Sequence, residues 1–314
     1  MRTVVATPLD SPARVQPSTR PPLVVGLVQT HWHPDPTTHR AVLDDGIGSA
    51  AAEGAEVVFL PELTLQRYPA DTLPAGRAAD LAEDLADGPT YRFAAESAGR
   101  HQVLVHASLY ERADGPDGRG YNTAILVAPD GTLLAKTRKL HIPVTAGYHE
   151  DHYFRPGPAE DAYPVTTLPL PSSARVGLPT CWDEWFPEVS RTYSLAGAEV
   201  LAYPSAIGSE PDHPAFDTEP LWRQVISANA VTAGTFMVVP NRWGTEGKIA
   251  FYGSSFIADP YGRVLAQAPR SADLVLVASL DLDQCRDWRE LFPFTSTRRP
   301  DTYAGLLTPT EKAS

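Results

Sequence analysis

Short, Val-rich apolar runs recur along this chain, and what separates them sets the architecture. LVVGLVQT (23–30), EVVFL (56–60) and QVLVHASLY (102–110) alternate with stretches of helical character at 37–54 and 89–101. ARVGLPT (174–180), AEVLAY (198–203) and TFMVV (235–239) alternate in the same way with helical stretches at 187–195 and 218–233. Runs that are apolar at nearly every position read as strands covered on both faces. Each set leads to a hairpin: 121–128 with 132–139 around Pro129-Asp130-Gly131, and 251–258 with 263–268 around Asp259-Pro260-Tyr261-Gly262. LVLVASL (274–280) and a helix at 281–291 close the chain, while 141–160 reads as loop. The first helix is expected to be capped by Thr37 or Thr38.

The two sets echo one another. Gly54-Ala55-Glu56-Val57 recurs as Gly197-Ala198-Glu199-Val200, and the two hairpins correspond. The spacing is far too long for a short-period repeat array. It predicts an α/β fold of two similar β-α-β halves, with two sheets each covered by helices on one face. No linker-like break divides residues 23–305, which read as one domain. Prolines 8, 12, 17, 21 and 22 mark 1–22 as a disordered tail, and residues 306–314 are expected to be a C-terminal tail.

Composition narrows the function. The formal charge of −12 argues against nucleic acid as a partner, since such binding rests on a basic field. No run approaches the ~18 apolar residues of a membrane span. Two cysteines, Cys181 and Cys285, cannot build a disulfide scaffold, so a reducing, cytoplasmic setting fits best.

Three chemically capable residues stand at strand ends: Glu62 after 56–60, Lys139 after the first hairpin, and Cys181 after 174–180. Strand C-termini are where α/β proteins place ligands. Taken singly, Glu62 and Lys139 read as solvated side chains, and Cys181 as a buried inert thiol. Cys181 also opens a strand-to-helix turn, where backbone N–H groups can stabilise an anion. Cys285 sits in a polar helical stretch and receives no role. His149, Glu150, Asp151 and His152 cluster without the four-ligand set a structural zinc needs. His31 and His33 alternate at a strand end with no partner in view. Phosphate-loop, dinucleotide and GxSxG patterns are absent from the sequence.

In their local wording these residues resemble the nitrilase (carbon–nitrogen hydrolase) superfamily, and within it the N-carbamoylputrescine amidase-like branch. The carrying segments are FLPE (59–62), KLHIP (139–143), GYHEDHYFRPG (147–157), CWDEWFPE (181–188), YPSAIGSEP (203–211), PNRWG (240–244) and FYGSSFIADP (251–260). The resemblance implies a four-layer α-β-β-α sandwich, with no cofactor and no metal. It implies Cys181 as nucleophile, Glu62 as general base, Lys139 as oxyanion-stabilising cation and Glu150 as their support. Trp182 would lend its backbone N–H, and Glu210 would lie near the distal end of the substrate. The implied partner is a small N-carbamoyl amine or amide, and the implied assembly a homo-oligomer built on dimers. Pro179-Thr180 and 63–68 depart from the branch's usual wording and leave the substrate open. N-carbamoyl-β-alanine competes, because Arg67, Arg155, Arg191 and Arg242 could meet a carboxylate. A simple amidase or ω-amidase comes next, and an inactive binding homologue last.

Overall fold

The computed structural model describes residues 1–308. Its first half comprises β1 (Arg2–Val5), β2 (Leu23–Gln29), α1 (Pro36–Ala52), β3 (Val57–Phe59), α2 (Pro89–His101), β4 (Leu104–Glu111), β5 (Tyr121–Val127) and β6 (Leu133–Arg138). Then come β7 (Val165–Thr167), β8 (Arg175–Gly177), α3 (Pro187–Leu195), β9 (Val200–Ala202), α4 (Glu219–Ala233) and β10 (Phe236–Val239). β11 (Trp243–Glu246), β12 (Ile249–Tyr252), β13 (Phe256–Ala258), β14 (Val264–Gln267), β15 (Leu274–Leu280) and α5 (Asp283–Leu291) complete it.

One sheet runs β1-β15-β2-β3-β4-β5-β6 and the other β14-β13-β10-β9-β8-β7. Parallel β2-β3-β4 corresponds to parallel β8-β9-β10, and hairpin β5-β6 to hairpin β13-β14. This is the duplication legible in the sequence echo. Its glycines have a physical cause: Gly54 and Gly197 sit at φ +86° and +90°, where each chain turns from helix toward strand and a side chain would be strained.

Three apolar layers separate four structural ones. Leu43, Ile47, Phe93 and Ala94 of α1 and α2 pack on Val28, Val58 and Val105 of the first sheet. Between the sheets lie Leu27, Phe59 and Leu126, with Val176, Ala202 and Val238 facing them. Tyr193, Trp222 and Ile226 of α3 and α4 cover Leu201, Met237 and Val239 on the far side. The result is the α-β-β-α sandwich.

Some expectations need correction. Asp35, not Thr37 or Thr38, caps α1, accepting the Thr38 N–H at 2.9 Å. The run 251–258 divides, because Gly253 and Ser254 turn the backbone left-handed between β12 and β13. Residues 1–22 are no disordered tail. β1 extends the first sheet parallel to β15. Arg14 pairs with Asp281 at 2.5 Å and Asp287 at 2.8 Å, the Thr19 N–H meets Asp283 at 2.6 Å, and Arg20 pairs with Glu199. The prolines stiffen a strap whose partners are remote in sequence, most of them near the opposite end of the chain and one, Glu199, in the middle. Of the expected C-terminal tail, Leu306 and Leu307 close a short 3-10 turn, and 309–314 lie outside the described residues.

Candidate active site

Strand ends of both sheets converge where the two halves meet. Glu62 follows β3, Lys139 follows β6, and Glu150 lies in the loop after it, in a 3-10 turn Glu150–His152. All three are buried. The Lys139 Nζ donates to Glu62 Oε1 at 3.0 Å and to Glu150 Oε2 at 2.7 Å. Burial works against the Lys139 charge, yet Glu150 and Glu62 overcome it and hold the ammonium well above its ordinary range. Burial pushes Glu150 up despite Lys139, with the Glu62 charge adding to the rise.

Two further side chains set the carboxylates. Asn122 at the start of β5 donates to Glu62 Oε1 at 2.6 Å, and the Tyr68 hydroxyl donates to Glu150 Oε1 at 2.8 Å. Glu62 Oε2 has no hydrogen-bond partner among the described residues. It is therefore the oxygen free to take a proton.

Cys181 opens a 3-10 turn, Cys181–Trp185, directly after β8 and the short segment 178–180. Its φ is +43°, a left-handed conformation that costs a non-glycine residue about 1–3 kcal/mol. Leu63, next to Glu62, shares it at φ +50°. The turn is held from several sides. Asp183 accepts from the Thr180 N–H at 3.1 Å, the His141 N–H at 2.9 Å and His141 Nδ1 at 2.7 Å. That carboxylate thus ties the Lys139 segment to the Cys181 turn. Buried Glu184 accepts from the Trp222 indole at 2.7 Å, fastening the turn to α4. Arg242 donates to the Glu62 carbonyl at 2.6 Å and pairs with Glu246 at 2.7 Å, fixing the Glu62 loop to β11. Burial pushes the Cys181 thiol well up, the Glu62 charge adds to this, and Lys139 opposes it.

A narrow cavity brings Cys181, Trp182, Glu150 and Glu210 to one lining, with Tyr148 and Ile207. Half-buried Glu210 is the acidic group farthest along the chain in that lining, and burial raises its carboxyl.

The sequence model of the carbon-nitrogen hydrolase family matches residues 24–290. A citrullinase from Francisella tularensis is 34% identical, covering 90% of this chain and 97% of its own. An N-carbamoylputrescine amidase from Arabidopsis thaliana is 34% identical over 91% of this chain and 95% of its own. The crystal structure of a carbon-nitrogen hydrolase from Helicobacter pylori superposes with a TM-score of 0.84 at 29% identity, over 92% of this chain and all of that one.

The chain belongs to the carbon–nitrogen hydrolase family. It is an amidohydrolase acting on carbon–nitrogen bonds other than peptide bonds, carried on the nitrilase-like fold. None of its described helices is long and apolar enough to cross a membrane.

Within this hydrolase, Glu62, Lys139 and Glu150 form one hydrogen-bonded set, and Cys181, Trp182, Glu150 and Glu210 share one cavity. The four arginines considered for a carboxylate substrate are elsewhere. Arg67 pairs with Asp71 at 2.6 Å, Arg155 pairs with Asp117, Arg191 lies over the Phe294 ring, and Arg242 is bound as above. Cys285 is buried on the inner face of α5, its thiol raised to about 12 by burial. Tyr68, Asn122 and Asp183 escaped the sequence reading. Of these, Asp183 had a signal: it lies two residues after Cys181, where a carboxylate can receive the backbone donors of a tight turn.

Proposed function

We propose that this hydrolase cleaves the ureido group of an N-carbamoyl amine with a cationic tail, releasing ammonia, carbon dioxide and the amine. The cavity lining carries this reading: it presents Glu210 and, among the described residues, no arginine, while the nearby Lys139 is already engaged by Glu62 and Glu150. A carboxylate in a half-buried wall favours an ammonium group and disfavours another carboxylate.

In the proposed mechanism the Cys181 sulfur attacks the ureido carbonyl as Glu62 takes the thiol proton. Splitting the reaction at a thioester-like intermediate replaces one difficult step with two easier ones. Lys139 and the Trp182 N–H, a first-turn donor without an intrahelical acceptor, receive the developing oxyanion. Losing one such donor costs about 3–4 kcal/mol of transition-state stabilisation. Glu62 returns the proton to the departing ammonia, then deprotonates water to release a carbamic acid. That acid divides into amine and carbon dioxide. Glu150 keeps Lys139 charged and placed throughout. The thiol chemistry suits a reducing compartment.

The test is ammonia release from N-carbamoylputrescine, citrulline, N-carbamoyl-β-alanine and N-carbamoyl-D-amino acids. N-carbamoylputrescine is expected to have the highest kcat/KM, and Glu210→Gln to raise its KM about 10-fold or more, as for loss of a charge-assisted contact. Cys181→Ala should abolish turnover of every substrate. A preference for the simple carboxylates, or turnover in Cys181→Ala, overturns the reading. Citrulline is the second reading, favoured by the Francisella relative, since its ammonium could use Glu210.

A further inference from the structure

Away from the cavity, the fold assembles a group of metal-binding type that no part of the proposed mechanism uses. β2 ends at Gln29, and the chain continues extended to His31, which bridges Trp243 at the start of β11. His31 and His33 are two residues apart, so an extended chain turns both to one face. Their ring centroids lie 3.9 Å apart. Asp273 arrives from the far end of the sequence by register. β15 pairs antiparallel with β2, Leu274 opposite Gln29, which sets the preceding Asp273 beside Thr30 and His31.

We propose that His31, His33 and Asp273 bind a divalent transition-metal ion of the zinc type. One donor atom from each lies within 4.8 Å of the other two. His31 Nδ1 and Asp273 Oδ1 are 3.1 Å apart and share a hydrogen bond, which an ion bridging the two side chains would replace. Imidazole and carboxylate together suit zinc. Asp273 is held in place through Oδ1, which accepts from the Trp243 indole at 2.8 Å, the Thr30 hydroxyl at 3.1 Å and the His31 N–H at 3.3 Å, while its other oxygen, Oδ2, has no hydrogen-bond partner among the described residues and is the one open to an ion. His33 Nε2 is buried with no hydrogen-bond partner among the described residues. The side chains of His31 and Asp273 remain 35% and 29% exposed, so an ion can enter and water can complete its shell.

None of the three residues lines the Cys181 cavity. They connect to it through β11, where Trp243 follows Arg242, the residue bonded to the Glu62 carbonyl. An ion here joins the end of β2, the start of β15 and β11, and so acts on stability and on the placing of the Glu62 loop. It takes no part in bond cleavage.

The experiment is calorimetric titration of Zn²⁺ into the full chain carrying Cys181→Ala, which removes thiolate binding at the cavity. One ion per chain is expected, with a rise in Tm on its addition. Adding His33→Ala should weaken binding by about 100-fold or more, since it removes a ligand, whereas losing only an outer partner costs about 10–100-fold. Asp273→Asn should weaken it in the same direction, and His149→Ala should leave it unchanged. Circular dichroism checks that each variant folds, and His33 is partly exposed, so its replacement leaves the core intact. No saturable binding, or binding that both His33→Ala and Asp273→Asn leave intact, overturns the proposal.

Discussion

Lys139 keeps its charge in a fully buried position because two carboxylates face it. That arrangement has a consequence for Cys181. Beside an imidazolium a thiol loses its proton at neutral pH. Here burial and the Glu62 charge push the thiol up, and the buried Lys139 only partly opposes them. Cys181 should therefore rest as the thiol and be deprotonated during attack. Since the group's folded pKa is raised above the ordinary 9.0, its thiolate fraction grows about tenfold per pH unit across pH 6–9. The rate of inactivation by iodoacetamide should rise through that range without a plateau. A plateau near pH 7 would show a preformed thiolate and remove Glu62 as the base. Glu62, Lys139, Glu150 and Cys181 carry little signal singly and stand out in the sequence only through the family resemblance of the local runs that hold them. Tyr68 and Asn122 do not stand out, since a lone aromatic or amide has no periodic signature. Their value comes from chain separations of 82 and 60 residues that only the fold closes.

At the scale of elements, strands and helices followed from local pattern, and the two halves from the Gly-Ala-Glu-Val echo. What escaped were pieces whose partners are remote or whose length is minimal. β7 has three residues, β11 has four, and β1 is joined to β15 across nearly the whole chain. The N-terminal strap was misread because proline content reports local backbone stiffness and says nothing of distant acidic partners. Asp281, Asp283 and Asp287 around the start of α5 supply those partners. Removing residues 1–17 takes away β1 and both Arg14 contacts, and leaves Asp287 buried without that guanidinium. It also bares the β15 edge, a template for pairing with another chain. A loss of about 2 kcal/mol is expected, lowering Tm by about 3 °C for a domain of this size. Light scattering should show concentration-dependent association as well. An unchanged Tm in thermal denaturation would mean that the strap lies on the fold without supporting it.

For the whole molecule, pH links the core to stability through two histidines that the chemistry does not use. His106, on β4 beside Phe59, is completely buried, and neither ring nitrogen has a hydrogen-bond partner among the described residues. Burial holds it down at about 3. His39 on α1 is held down at about 4 by burial, despite its hydrogen bond to the Thr64 carbonyl. Both are neutral in the fold and ordinary, near 6.5, in the unfolded chain. Above pH 6.5 neither state binds the proton and they contribute nothing to pH dependence. As pH falls below 6.5 the unfolded chain takes up protons that the fold refuses, so stability drops until pH reaches the folded values. At pH 4.5 this amounts to about 2–3 kcal/mol for His106 alone, from ~1.4 kcal/mol per pH unit. Against a typical net stability of about 5–15 kcal/mol, two such groups can set the acid limit of the enzyme. His106→Leu replaces the imidazole with an apolar side chain suited to the space between the sheets. It should shrink the stability difference between pH 7.5 and pH 4.5 by that same amount in urea unfolding. If wild type and His106→Leu lose equal stability over this interval, proton uptake at His106 is not what limits the fold in acid.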